Sequence, residues 1–235
     1  MLPIVEDFVK RFNLDDFVIV ADSGLMNKQN VALLESGGYK YIIGARIKNE
    51  TEAIKRWILS LEKHDGKFNE CRKENVRLIV GYSAKRAKKD KYNRDKGVKR
   101  LEKAYKSGKI TKENINSRGY NKFLEISDNI TVTINRQSIE EDEKWDGWKG
   151  YITNTPLCCE EVYEQYNGLW VVENAFRVTK GALQIRPVFH FTARRIEAHV
   201  CICFVAYKVY KELERRLRIN GINLSVDKVL NIAKT

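Results

Sequence analysis

Residues 17–44, FVIVADSGLMNKQNVALLESGGYKYIIG, hold two short apolar runs with one helical stretch between them. The first run, Phe17 to Ala21 (FVIVA), has no polar position, which predicts a strand covered on both faces. It ends at Asp22-Ser23-Gly24, a turn-forming triplet. Residues 27–36 (NKQNVALLES) then have helical composition and stop at Gly37-Gly38, where the second run begins, Tyr39 to Gly44 (YKYIIG). Two buried strands joined through one helix by short loops predict parallel pairing in a helix-covered sheet, an α/β arrangement. Upstream, residues 4–12 (IVEDFVKRF) place Val5, Phe8, Val9 and Phe12 on one side of a further helix.

This reading puts Asp22 at the carboxyl end of a strand, where open α/β sheets collect ligands and chemistry. An ordinary turn or helix-capping aspartate explains the same residue locally. Downstream, a helix is expected near 50–62, a strand at 76–82 (VRLIVGY), and strands at 122–126, 130–135 and within 145–154 (WDGWKGYITN). A helix from about 191 to 217 and one more short helix in the tail complete the expected elements. Between Ser83 and Lys106 stand eleven Lys or Arg and three acids, so 11 − 3 = +8 of the chain's +12 net charge falls there. The helix-forming composition, with spaced Leu101 and Tyr105, predicts a basic helix. A solvated helix face and a contact with the DNA backbone both fit it.

Residues 166–180, YNGLWVVENAFRVTK, put Tyr166, Glu173 and Lys180 seven residues apart. At about 3.6 residues per turn that is close to two turns, so in one continuous helix all three share an edge. Leu169, Trp170, Val172, Ala175 and Phe176 would give that helix a broad apolar face for packing. On spacing alone, a solvated Glu and Lys on a surface helix account for the pattern as well.

Lys and Arg number 43 against 31 Asp and Glu, a balance that favours a polyanionic partner, most simply nucleic acid. Five cysteines, none in a C-x-x-C pair, and three histidines argue against structural zinc. The odd cysteine count reads as reduced thiols of a cytoplasmic protein. No apolar run approaches the roughly 20 residues of a membrane span.

Taken in order, the blocks VIVADSGLMNKQN (18–30), YKYIIGARIK (39–48), RLIVGYSAKRAKKD (77–90), NSRGYNKFL (116–124), KWDGWKGYITNT (144–155), YNGLWVVENAFRVTK (166–180), IRPVFH (185–190) and RRIEAHVCICFVA (194–206) resemble the DDE transposases of bacterial insertion sequences, in the IS-four-like superfamily. The resemblance implies a ribonuclease H-like fold, a mixed sheet flanked by helices, over residues 1–45 and 146–217. An α+β insertion domain would occupy 46–145, and 218–235 would form a helical tail. It implies that Asp22 and Glu173 are the second and third acidic residues of the catalytic triad and ligands for Mg²⁺ or Mn²⁺. The family's helix motif carries Tyr, Arg, Glu and Lys; Tyr166, Glu173 and Lys180 match it, with Leu169 at the Arg position. Tyr166, Lys180 and Arg177, together with Lys85, Arg86, Lys88 and Lys89 of the basic helix, are the expected DNA contacts. The expected partners are transposon-end DNA, and this chain itself or an intact transposase; the expected location is the bacterial cytoplasm, at the nucleoid.

The family places its first catalytic Asp on a strand upstream of the one ending at Asp22, and only 21 residues precede Asp22 here. Asp7, Asp15 and Asp16 fall in helical or turn positions. The chain therefore reads as an amino-terminally truncated copy, inactive in strand transfer by itself. The alternative is a non-catalytic DNA-binding relic or an inhibitor of an intact transposase.

Overall fold

The two apolar runs form β1 (Val18–Ala21) and β2 (Lys40–Ala45), joined through helix α2 (Lys28–Ser36) and paired in parallel with Ala21 opposite Ile43. The structure is a computed structural model that describes residues 2–24, 28–73, 75–110, 116, 119–127, 131–181 and 183–233. Residue 27 of the expected helix and residue 130 of an expected strand lie outside the described residues, as do 117 and 118 of the NSRGYNKFL block. The chain divides into two units, Met1–Tyr166 and Asn167–Thr235.

In the first unit the sheet has five strands in the order β1-β2-β7-β4-β3, with β3 at Phe68–Lys73, β4 at Val76–Tyr82 and β7 at Trp148–Thr153. Every pairing after β1–β2 is antiparallel, so the sheet is mixed and the fold is α/β. β1 stands at an edge, and its valines and isoleucine are only half-buried, where two-sided cover was expected. The residues assigned by resemblance to an insertion, 46–145, contribute β3 and β4 to this same sheet rather than standing apart from it.

One face of the sheet buries Ala21, Tyr41 and Ile43 against Leu34 of α2. Further across the same face, in the cross-strand row Ala21, Ile43, Ile152 and Leu78, the sheet buries Leu78, Val80 and Trp148 against Ile47 and Ile58, the latter on α3 (Glu52–Ser60), whose cap is Thr51. A third apolar cluster joins Val98 and Leu101 of α4 (Ala84–Lys106) to Phe123, Leu124 and Val132 around the hairpin β5 (Leu124–Ser127) and β6 (Thr131–Ile134). Ser83 caps α4, and Asn135 caps α5 (Arg136–Glu143). At the end of β7 the Asn154 amide accepts from the Tyr41 N–H at 2.8 Å and donates to the Tyr39 carbonyl at 2.9 Å, extending the pairing of β2 beyond the last β7 residue. Helix α1 (Leu2–Phe12) forms as expected, but Phe8 and Phe12 stack on one another and remain exposed.

The expected helix through 166–180 is divided at Gly168 into α6 (Cys159–Asn167) and α7 (Leu169–Lys180). The second unit consists of α7, α8 (Ala193–Ile219) and α9 (Val226–Ala233). His199 of α8 lies 3.2 Å from the Ile185 carbonyl, and Tyr210 donates to Asp227 of α9 at 3.3 Å. No helix among the described residues is long and apolar enough to cross a membrane.

Candidate functional site

Asp22 follows the last residue of β1 and is exposed, as its strand-end position requires. Because β1 and β2 run parallel in register, the residue after Ala21 comes level with the residue after Ile43, which is Gly44. A β-carbon added to Gly44 would sit 2.5 Å from the Tyr166 hydroxyl. The missing side chain is what lets that hydroxyl reach the strand ends, where it donates to Asp22 Oδ1 at 3.4 Å. Ser23 Oγ donates to the same oxygen at 3.4 Å. Both contacts are longer than the roughly 2.7–2.8 Å of a strong hydroxyl–oxygen bond, so the carboxylate is steered rather than saturated.

Two cations lie at the same end of the sheet. The Arg46 guanidinium donates to the Ser23 carbonyl at 3.0 Å, and Lys149 of β7 holds its ammonium 4.3 Å from the centre of the Tyr166 ring. Tyr151 meets the same Tyr166 ring edge-on at 4.8 Å, which fixes its plane. An arginine and a lysine at the end of the sheet that carries Asp22 make that end suited to an anionic group such as a phosphate.

Tyr166 itself is only 8 % exposed, and its hydroxyl is turned to Asp22. A ring enclosed in this way presents no face to a nucleic-acid base, so the structure gives Tyr166 a place within the Asp22 site and not on an open surface. Glu173 and Lys180 are exposed on α7 in the second unit. There, spacings of three and four residues put Trp170, Glu173, Arg177 and Lys180 on one helix face. Trp170, expected to pack, is 61 % exposed, and Val172 and Phe176 are exposed with it. Arg177 is held by Asn174 at 2.7 Å, and Lys180 lies over the Phe176 ring at 5.6 Å. Lys85, Arg86, Lys88 and Lys89 all stand exposed on the first turns of α4, with Arg86 3.5 Å from Asp90.

Sequence reasoning named Asp22 but missed Gly44, Arg46 and Lys149. Their blocks, YKYIIGARIK and KWDGWKGYITNT, carried a signal in the two basic residues just outside apolar runs. Only the register of β1, β2 and β7 brings them to one end of the sheet.

Among the described residues no three His, Cys, Asp or Glu side chains are grouped to hold a metal ion. A single carboxylate does not make a preformed centre for a hard dication, which needs several oxygens around it.

A family model described as the transposase DDE domain matches residues 2–208. The chain belongs to that family. No curated protein and no solved structure matches it.

Proposed function

We propose that this chain is a transposition protein that binds the duplex DNA of transposon ends and does not cut it unaided. The observation that carries the DNA-binding part is the one-sided charge of α4, in a chain whose family acts in DNA transposition. Lys85, Arg86, Lys88 and Lys89 contact the backbone from α4, and Arg177 and Lys180 contact phosphate from α7. Such contacts position the duplex without reading its sequence. Asp22 and Glu173 are the acidic residues of the family's chemistry, each exposed in its own unit. Tyr166 serves by holding Asp22 and the Lys149 ammonium in place.

Fluorescence anisotropy of a labelled duplex tests this reading. The whole chain is expected to bind, and the double substitution Arg177→Ala with Lys180→Ala to weaken binding by about tenfold, at roughly 0.7 kcal/mol per lost phosphate contact. Duplex binding that is absent at low salt refutes the proposal. A second reading, inhibition of an intact transposase by pairing with it, is favoured by the exposed Trp170, Val171, Val172 and Phe176 of α7. It predicts that adding the chain lowers strand transfer by an intact family member; unchanged transfer excludes it.

A further inference from the structure

The 23 residues of α4 separate into two opposite stripes. The middle of the inner stripe is buried. Arg94 is 3 % exposed and paired to Asp146, with Glu143 at 3.6 Å. Gly97 leaves room for the Tyr120 ring, which an added β-carbon would meet at 2.4 Å. Val98 and Leu101 enter the third apolar cluster.

On the other side, Lys85, Lys89, Tyr92, Lys96, Lys99, Lys103 and Lys106 recur at alternating steps of four and three. At about 100° per residue these seven fall within an arc of roughly 100°, directly opposite the inner stripe, and extend for about 32 Å along the axis. All seven are exposed. The helix's three acids lie off this arc: Asp90 accepts from the Gly147 N–H at 3.2 Å, Glu102 pairs with Arg136 at 2.6 Å, and Asp95 sits on the flank. Among the described residues, none of the six lysines takes part in an ion pair within 4.0 Å.

Like charges three and four residues apart repel and weaken a helix, whereas a face needed only for solubility gains from mixed signs. A polyanion laid along the stripe removes that repulsion. The stripe's length is close to one turn of duplex DNA, about 34–36 Å. Its only apolar member is Tyr92, over whose ring Lys96 lies at 5.9 Å, so the face lacks the apolar side with which interfacial helices enter a bilayer.

We infer that α4 is a straight rail for the phosphates of duplex DNA, contacted through Lys85, Lys89, Lys96, Lys99, Lys103 and Lys106 and kept in orientation by Arg94 on its inner side. This deepens the DNA-binding reading above and rests on it. It locates the contact along the whole helix, where that reading names only the first turns.

The test compares the full chain with a triple variant, Lys89→Ala, Lys96→Ala and Lys103→Ala, and with a control of equal charge change, Lys10→Ala, Lys67→Ala and Lys228→Ala. Circular dichroism and thermal unfolding confirm that all three are folded. Binding to a labelled 25-base-pair duplex is measured from 50 to 200 mM KCl. The slope of log K against log[KCl] is expected to become shallower by about 2.7 in the triple variant, from roughly 0.9 per phosphate contact, and to stay near the wild-type value in the control. Equal changes in both variants, or none in the triple variant, overturn the rail and leave DNA binding standing. Failure of the wild-type chain to bind overturns both. Tighter binding to phosphatidylserine-containing vesicles than to duplex, lost in the triple variant, overturns the rail in favour of a membrane surface.

Discussion

Gly44 and Tyr166 are coupled by the space that one lacks and the other fills. Gly44→Ala pushes a methyl group to within 2.5 Å of the Tyr166 hydroxyl and 3.2 Å of its ring carbon Cζ. The overpacking is expected to cost about 1–3 kcal/mol in urea unfolding. In a Tyr166→Phe background, where the hydroxyl is gone, the same substitution should cost less, and the difference is the coupling of the pair. Additive costs would show that the hydroxyl does not occupy this space. Asp22 was legible in the sequence because an apolar run ending in Asp-Ser-Gly marks a strand end. The rest of its surroundings was not. Tyr166 is 122 residues from Gly44 along the chain, and no local pattern reports that one fits over the other.

Among the elements, α4 depends on one buried ion pair. Arg94→Ala leaves the Asp146 carboxylate, 13 % exposed, without its partner, and should destabilise the first unit by about 3 kcal/mol. Arg94→Lys should recover only part of this, because an ammonium cannot serve Asp146 and Glu143 from one planar fork. A loss under 1 kcal/mol for Arg94→Ala would mean that the apolar cluster alone anchors the helix. The basic helix was visible in sequence, as were β1, β2, β4 and β7, because composition or apolar runs announce them. β3 was not: Phe68–Lys73 reads FNECRK, and only pairing with β4 makes that polar stretch a strand. α5, RQSIEEDE, buries no residue and so lacks an apolar period to detect. The division at Gly168 was signalled by Asn167-Gly168, a known breaker pair that the seven-residue spacing around it obscured.

At the scale of the whole molecule, charge dominates: +12 overall, with acids placed to hold basic segments together. Asp142 shows this. Burial works to raise its pKa, but hydrogen bonds from Lys122 and Lys48, each at 2.6 Å, outweigh burial and lower it. A carboxylate with a depressed folded-state pKa stabilises the fold above its unfolded value, near 4, and that contribution disappears as the pH falls through the folded value. Because both lysines are partly exposed, the contribution is about 1 kcal/mol. Asp142→Asn should therefore lower stability at pH 7 by about that much, and by progressively less as the pH falls below about 4; a loss that does not change with pH would assign the effect to packing. The family match and the α/β sheet fit a chain that handles DNA, and its charge gives the means. The most direct test incubates the whole chain with an end-labelled duplex and Mg²⁺ or Mn²⁺, and runs native and denaturing gels side by side. A retarded duplex whose strands are recovered at full length is expected; an unretarded duplex, or cut strands that disappear with Asp22→Asn, would contradict DNA binding without cleavage.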